Sequence, residues 1–146
     1  MLFPLAVLAT QVRFEKSGAG FWWGDARPRA RILIIDDDRA LSTLLGFVMR
    51  QEGFEVDTTN DSEAGIQLAI GTTYDALVLD LKMPGKDGRT VFREIRASGV
   101  QTPVLILSAF NARQATEELG AEAYLNKPFE PHELAQAVHR LVNREP

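Results

Sequence analysis

Three consecutive aspartates, Asp36, Asp37 and Asp38, follow the apolar run ILII at 32–35. Adjacent carboxylates repel one another, so the cluster costs stability unless a positive charge sits among them. Asp80 follows a second apolar run, ALVL (76–79), Ser108 follows VLIL (104–107), and Asn126 and Lys127 follow AYL (123–125). If these runs are strands of one sheet, three carboxylates, a hydroxyl and an ammonium share one rim. Such a set suits two linked chemistries. Carboxylate oxygens bind hard cations, and Mg2+ uses only one or two carboxylates while keeping several waters. An aspartate can also attack phosphorus and carry the phosphoryl group, provided that cations hold its oxygens and balance the developing charge. Asp36, Asp37 and Asp80 are therefore candidate ligands of a divalent cation. Asp80 is also the candidate nucleophile, Lys127 the candidate point charge, and Ser108 a candidate donor to a phosphoryl oxygen. A softer metal is disfavoured, because the chain has no cysteine and both histidines, His132 and His139, fall in the last helical segment.

Each of these residues also has a plainer use. An aspartate ahead of a helix caps it, but one suffices, and Asp38, directly before RALSTLL, is best placed to do so. Lys127 as a solvated surface lysine and Ser108 as an ordinary strand-end hydroxyl are the bland alternatives. Lys127 precedes Pro128, which disfavours a helical conformation at residue 127.

The elements that must position these groups follow from periodicity. The runs at 32–35, 76–79, 104–107 and 123–125 lack alternation and suit buried parallel strands, whereas FEVDTT (54–59) alternates and reads as a less buried strand. Helical segments fill the gaps. In ALSTLLGFVMRQEG (40–53), Leu41, Leu44, Leu45, Val48 and Met49 form one stripe, and Gly53 stops the helix. SEAGIQLAI (62–70) has Asp61 as N-cap; RTVFREIRAS (89–98) and ARQATEELG (112–120) follow; PHELAQAVHRLVN (131–143) opens with Pro131 in a favoured first-turn position. Strand and helix alternate five times, which predicts an α/β, doubly wound, five-stranded parallel sheet with helices on both faces. Ligands of such sheets bind outside the carboxyl ends of the strands, where the chemistry-bearing residues fall.

The chain has 146 residues, 45% hydrophobic and 25% charged, a globular profile. Residues 1–30 form an extension whose part EKSGAGFWWGDARPRA (15–30) is rich in Gly, Pro and Arg without a helical or strand period; the extension carries +2, leaving −6 on residues 31–146. An acidic body argues against duplex DNA as a direct partner, since phosphate neutralisation supplies most of that affinity. No apolar run reaches the roughly 20 residues that span a bilayer. The opening MLFPLAVLAT is a poor signal peptide: no basic residue precedes it, Pro4 interrupts it, and no small-residue cleavage site follows. A cytoplasmic location without membrane contact is the expectation. The extension has two readings: a disordered leader or a start codon placed too early, or, from Phe21, Trp22 and Trp23, an aromatic cluster of the kind that marks a contact surface.

The pieces IIDDD, LVLDLKMPGKDG, LILSA and AYLNKPF, in that order, resemble the receiver domain of two-component response regulators, the CheY-like superfamily. The resemblance covers about residues 30–143, and the receiver domain is assigned to 31–146. It implies flavodoxin-like strand order 2-1-3-4-5, a phosphoacceptor at Asp80, and Mg2+ held by Asp37, by Asp36 through water, by Asp80 and by the backbone carbonyl of Lys82. It places the hydroxyl switch at Ser108, the aromatic switch at Tyr124, and a cis peptide before Pro128. It implies histidine kinases or histidine phosphotransfer proteins as donors, an unnamed downstream protein reading the face of helix 4, strand 5 and helix 5, and self-catalysed phosphorylation and dephosphorylation without turnover of a separate substrate. Two features depart from the family. Ser108 to Lys127 spans 19 positions, about one helical turn shorter than the family pattern, so the fourth helix or its loop, part of the output face, is expected to be trimmed. Residues 1–30 match nothing in the family.

Rival readings are weaker. A phosphohydrolase with an aspartate nucleophile needs an acid two residues later to protonate the leaving group, and that position is Lys82. A phosphorylation-independent interaction module would be expected to lose Asp80 or Lys127. A flavin site would need a phosphate-cradling glycine loop after the first strand. With no output domain after the last helix, a stand-alone receiver or the receiver fragment of a longer transcriptional regulator is expected.

Overall fold

The computed structural model describes residues 29–143. Residues 1–28 of the extension, with its aromatic cluster, lie outside the described residues. Strands β1 (Arg31–Ile35), β2 (Glu55–Thr59), β3 (Ala76–Asp80), β4 (Val104–Ser108) and β5 (Ala123–Asn126) alternate with helices α1 (Arg39–Gln51), α2 (Ser62–Gly71), α3 (Gly88–Ala97), α4 (Ala112–Leu119) and α5 (Pro131–Asn143). All strand pairs are parallel, and the order is β2-β1-β3-β4-β5, as expected.

The unbroken apolar runs follow from burial on both faces. Even-numbered residues of β1 (Ile32, Ile34) join Leu45, Met49, Leu134 and Val138 under α1 and α5. Odd-numbered ones (Leu33, Ile35) join Ile66, Val91, Phe92 and Ile95 under α2 and α3. Chain reversal brings helices to both sides, so neither strand face needs polar residues. Local signals set the helix ends. The carboxylates of Asp38, Asp61 and Asp87 each accept an amide in the first turn of α1, α2 and α3. After α1, Gly53 at φ +97 donates to Arg50 O (3.0 Å) and Phe54 to Met49 O (3.1 Å), a Schellman ending.

Two expectations need correction. Leu44 is 47% exposed, not part of the buried stripe of α1; the sheet-facing side is narrower, and the small residues Ser42 and Gly46 complete it. The fifth strand is not buried: its residues alternate between half-buried and exposed, because only β4 flanks it at the sheet edge. α4, the segment expected to be trimmed, has eight residues. Arg96 fastens the amino ends of β4 and β5: it donates to Thr102 O (2.8 Å) and pairs with Glu122 (3.2 Å), whose carboxylate accepts Val104 N (2.7 Å).

Candidate functional site

The site forms where β1, β3 and β5 end on one rim. Asp36 is the first residue beyond β1, and Asp80 is the last of β3, in register with Leu107 of β4. The strand cores fix both positions, so neither carboxylate can withdraw: Asp36 is fully buried and Asp80 nearly so. Asp37 is exposed. One oxygen from each of Asp36, Asp37 and Asp80 lies within 4.8 Å of the others.

The positive charge among them comes from β5. Lys127 N donates to Ser108 O (2.8 Å), which prolongs the β4–β5 ladder by one rung, and its side chain crosses the rim. Lys127 Nζ lies 3.3 Å from Asp36 Oδ2 and 3.4 Å from Asp80 Oδ1. The bond from Lys127 to Pro128 is cis. Burial works against the Lys127 charge, but Asp36 and Asp80 outweigh it and raise its pKa. Burial, and then the charge of Asp36, push Asp80 up to about 6 against the opposing pull of Lys127. Among the described residues no ion pair engages Asp37. Three carboxylates against one ammonium leave two negative charges, the charge of one divalent cation. With all donors oxygen, the residues fit Mg2+ rather than a thiophilic metal.

The backbone around Asp80 is held by glycine and by turns. Lys82 N donates to Asp80 Oδ1 (3.4 Å), and Gly88 N, at the start of α3, donates to Leu81 O (2.8 Å). A Cβ at position 88 would drive into the Asp80 carbonyl oxygen and Leu81 Cα, so α3 approaches this closely only with glycine there. Ser62 Oγ and the Lys86 ammonium tie the same loop to its neighbours, the first by donating to Lys86 O (2.6 Å), the second by pairing with Glu63 (2.9 Å) and Glu94 (3.0 Å).

Asp36, Asp37, Asp80 and Lys127 thus come together; Ser108 and Tyr124 stand apart from their contacts. The Ser108 hydroxyl donates to Phe110 O (2.8 Å) and accepts Phe110 N (3.2 Å), and Phe110 is 79% exposed. Tyr124 pairs with Ile106, two residues before the rung of Ser108 and Asn126, and is 39% exposed. Sequence reasoning placed Asn126 at the rim without a role and missed Asn60. Asn126 Oδ1 accepts Ala112 N (3.3 Å) and so caps α4 from β5, where the local residue Asn111, at φ 53, makes no side-chain cap. Asn60 Nδ2 donates to Asp36 O (2.7 Å) and to Ser42 Oγ (2.9 Å). Their only sequence signal is an amide residue at or just beyond a strand end. A cavity of about 320 Å³ lined by Arg29, Arg31, Arg50, Phe54 and Asp57 opens at the amino ends of β1 and β2, opposite this rim.

Residues 32–139 match the family model described as the response regulator receiver domain. Over 117 residues the chain is 38% identical to the cell cycle response regulator CtrA of Brucella ovis and of Brucella abortus. The match covers 78% of this chain and 50% of CtrA, so the chain spans about half the length of these curated relatives. Among solved structures, the receiver domain of the Francisella response regulator 1452 superposes with a TM-score of 0.74 at 29% identity, covering 80% of this chain and 98% of that one. A response regulator receiver domain protein of Clostridium thermocellum gives 0.72 at 32% identity, covering 79% and 95%.

Proposed function

Because this chain belongs to the response regulator receiver domain family of two-component systems, we propose that Asp80 accepts a phosphoryl group and that the rim around it is the machinery for that transfer. The observation that carries this reading is the meeting of Asp36, Asp37 and Asp80 within 4.8 Å, with Lys127 bridging two of them. In the transfer, an Asp80 oxygen attacks phosphorus, the bond from phosphorus to the donor breaks, and the leaving group departs with the bonding electrons. With a phosphohistidine donor, the imidazole nitrogen leaves and takes up a proton. Ionised Asp80 is the nucleophile, and the Lys127 ammonium beside it offsets charge on the phosphoryl oxygens. Asp36, Asp37, Asp80 and the carbonyl of Lys82 would hold Mg2+, which when bound neutralises phosphoryl charge. The Ser108 hydroxyl donates to a phosphoryl oxygen after leaving Phe110. Tyr124 then changes its position at the edge strand, and the face of α4, β5 and α5 reports the event to a downstream protein. The donor is a histidine kinase or a histidine phosphotransfer protein.

The test is intact-mass measurement after incubation with acetyl phosphate and Mg2+. One phosphoryl group should add to the parent and none to Asp80→Asn. Full labelling of Asp80→Asn, or labelling in excess EDTA, overturns the assignment. Among the described residues no helix is long and apolar enough to cross a membrane, which fits a partner met in solution.

A further inference from the structure

We propose that Asn60 is a positioning residue of the acidic rim: its side-chain amide sets the direction in which Asp37 leaves the sheet. The inference rests on reading the rim as a Mg2+ site. β1 and β2 pair through Ile35 and Thr59, and Asp36 N still donates to Thr59 O (3.2 Å). There the β2 backbone turns away toward α2. The Asn60 side chain supplies the next rung in its place, donating to Asp36 O at 2.7 Å. A carbonyl can only accept, so the atom facing it is the amide nitrogen. The second amide hydrogen goes to Ser42 Oγ (2.9 Å), a buried hydroxyl that itself donates to Arg39 O (3.2 Å). One amide therefore links the end of β2, the turn after β1, and the first turn of α1.

The consequence for the site is geometric. The Asp36 carbonyl lies in the rigid peptide plane that joins Asp36 to Asp37. Gripping that oxygen fixes the plane, and with it the departure of the Asp37 chain. Asp36 is doubly constrained, because its Oδ1 also accepts Asp38 N (2.9 Å) and its Oδ2 faces Lys127. Asp37 is exposed, and among the described residues no side-chain hydrogen bond or ion pair engages it. Among the described residues it is the backbone that sets its place relative to Asp36 and Asp80, and Asn60 is the side chain that holds this backbone from β2.

The experiment is a Mg2+ titration of the parent, Asn60→Ala and Asn60→Asp at fixed ionic strength, read by calorimetry or amide NMR well below each melting temperature. Asn60→Ala should bind Mg2+ about tenfold more weakly, the usual size of an outer-shell loss. Asn60→Asp keeps the shape but has no hydrogen to donate, and it should also bind more weakly. Because an added carboxylate by itself tightens cation binding, weakening in both variants isolates geometry from charge. A residue that merely supports the fold would lower the melting temperature and leave the dissociation constant unchanged. Parent-like affinity in Asn60→Ala, or tighter binding in Asn60→Asp, overturns the proposal. A parent that binds no Mg2+ brings down the functional reading itself, a separate outcome. Should the variants not fold, the Asn60 side-chain NH2 signals of the parent should shift over the same Mg2+ range as the Asp37 amide; unmoved signals overturn it.

Discussion

Lys127 Nζ lies 3.3 Å from Asp36 Oδ2, although 91 residues and two intervening strands separate them. The contact joins the β5 edge of the sheet to β1 across β3 and β4 and supplies the positive charge that the aspartate cluster needs. Removing it leaves buried carboxylates uncompensated, an expensive change. Lys127→Met should destabilise the metal-free protein by about 2–3 kcal/mol, at the low end for a buried pair because the ammonium is partly exposed. Urea denaturation in EDTA measures this, and Mg2+ should recover part of the loss. Unchanged stability in EDTA would show that the ion pair contributes nothing.

Protonation of Asp80 gives a pH signature. Its folded pKa is raised from 3.8 to about 6, by burial first and by Asp36 second. A carboxyl with a raised folded pKa favours folding when protonated, so its contribution is complete below 3.8 and is lost as pH rises through about 6. Metal-free Asp80→Asn does not titrate there. Its stability relative to the parent should climb by about 1–2 kcal/mol across that window, after discounting for solvent at the open rim. Urea midpoints at several pH values in EDTA provide the check, and a constant difference would refute the raised pKa.

Asp37 is the exposed member of the cluster, without an ion-pair partner among the described residues. Binding of an ion to the folded state alone stabilises by RT ln(1 + [L]/Kd), ~2.7 kcal/mol at a hundredfold excess over Kd. Mg2+ should therefore raise the melting temperature of the parent, and Asp37→Ala should lose that response. Relief of repulsion should leave metal-free Asp37→Ala at least as stable as the parent. A full Mg2+ response in the variant would count against the pocket.

The two hydrogen bonds between Ser108 and Phe110 define the state from which a switch would start. A phosphoryl group at Asp80 offers strong acceptor oxygens, and the hydroxyl must release Phe110 to reach one. On the proposed reading, that movement would free space toward β5 for the half-exposed Tyr124 ring, making it a two-state element biased by a local charge. Ser108→Ala should still accept phosphate yet lose the change at Tyr124. NMR of ring-labelled tyrosine resolves it, since Trp22 and Trp23 mask tyrosine fluorescence. Equal Tyr124 shifts on phosphorylation of parent and variant would rule out the coupling.

The sequence determined much of this molecule, because its strongest signals are local. Two-sided burial writes unbroken runs such as ILII and VLIL. Capping writes Asp38, Asp61 and Asp87 at fixed distances from the helices they start, and the Schellman ending writes Gly53. Alternation of the two element types implies the parallel sheet, and the strand ends then name Asp36, Asp37, Asp80, Ser108 and Lys127. Tertiary structure decided what depends on strand order and register. Strand order leaves β5 at the edge, so its apolar run does not mean burial. Helix docking turns Leu44 to solvent while Ser42 and Gly46 face the sheet, since the width of a buried stripe is set by the neighbour and not by the period. Register carries Lys127 across the rim to both carboxylates, and it brings Asn60 to the carbonyl of Asp36. Neither contact leaves a periodic trace, because each joins residues whose separation in the chain is arbitrary and whose proximity exists only once the strands have paired.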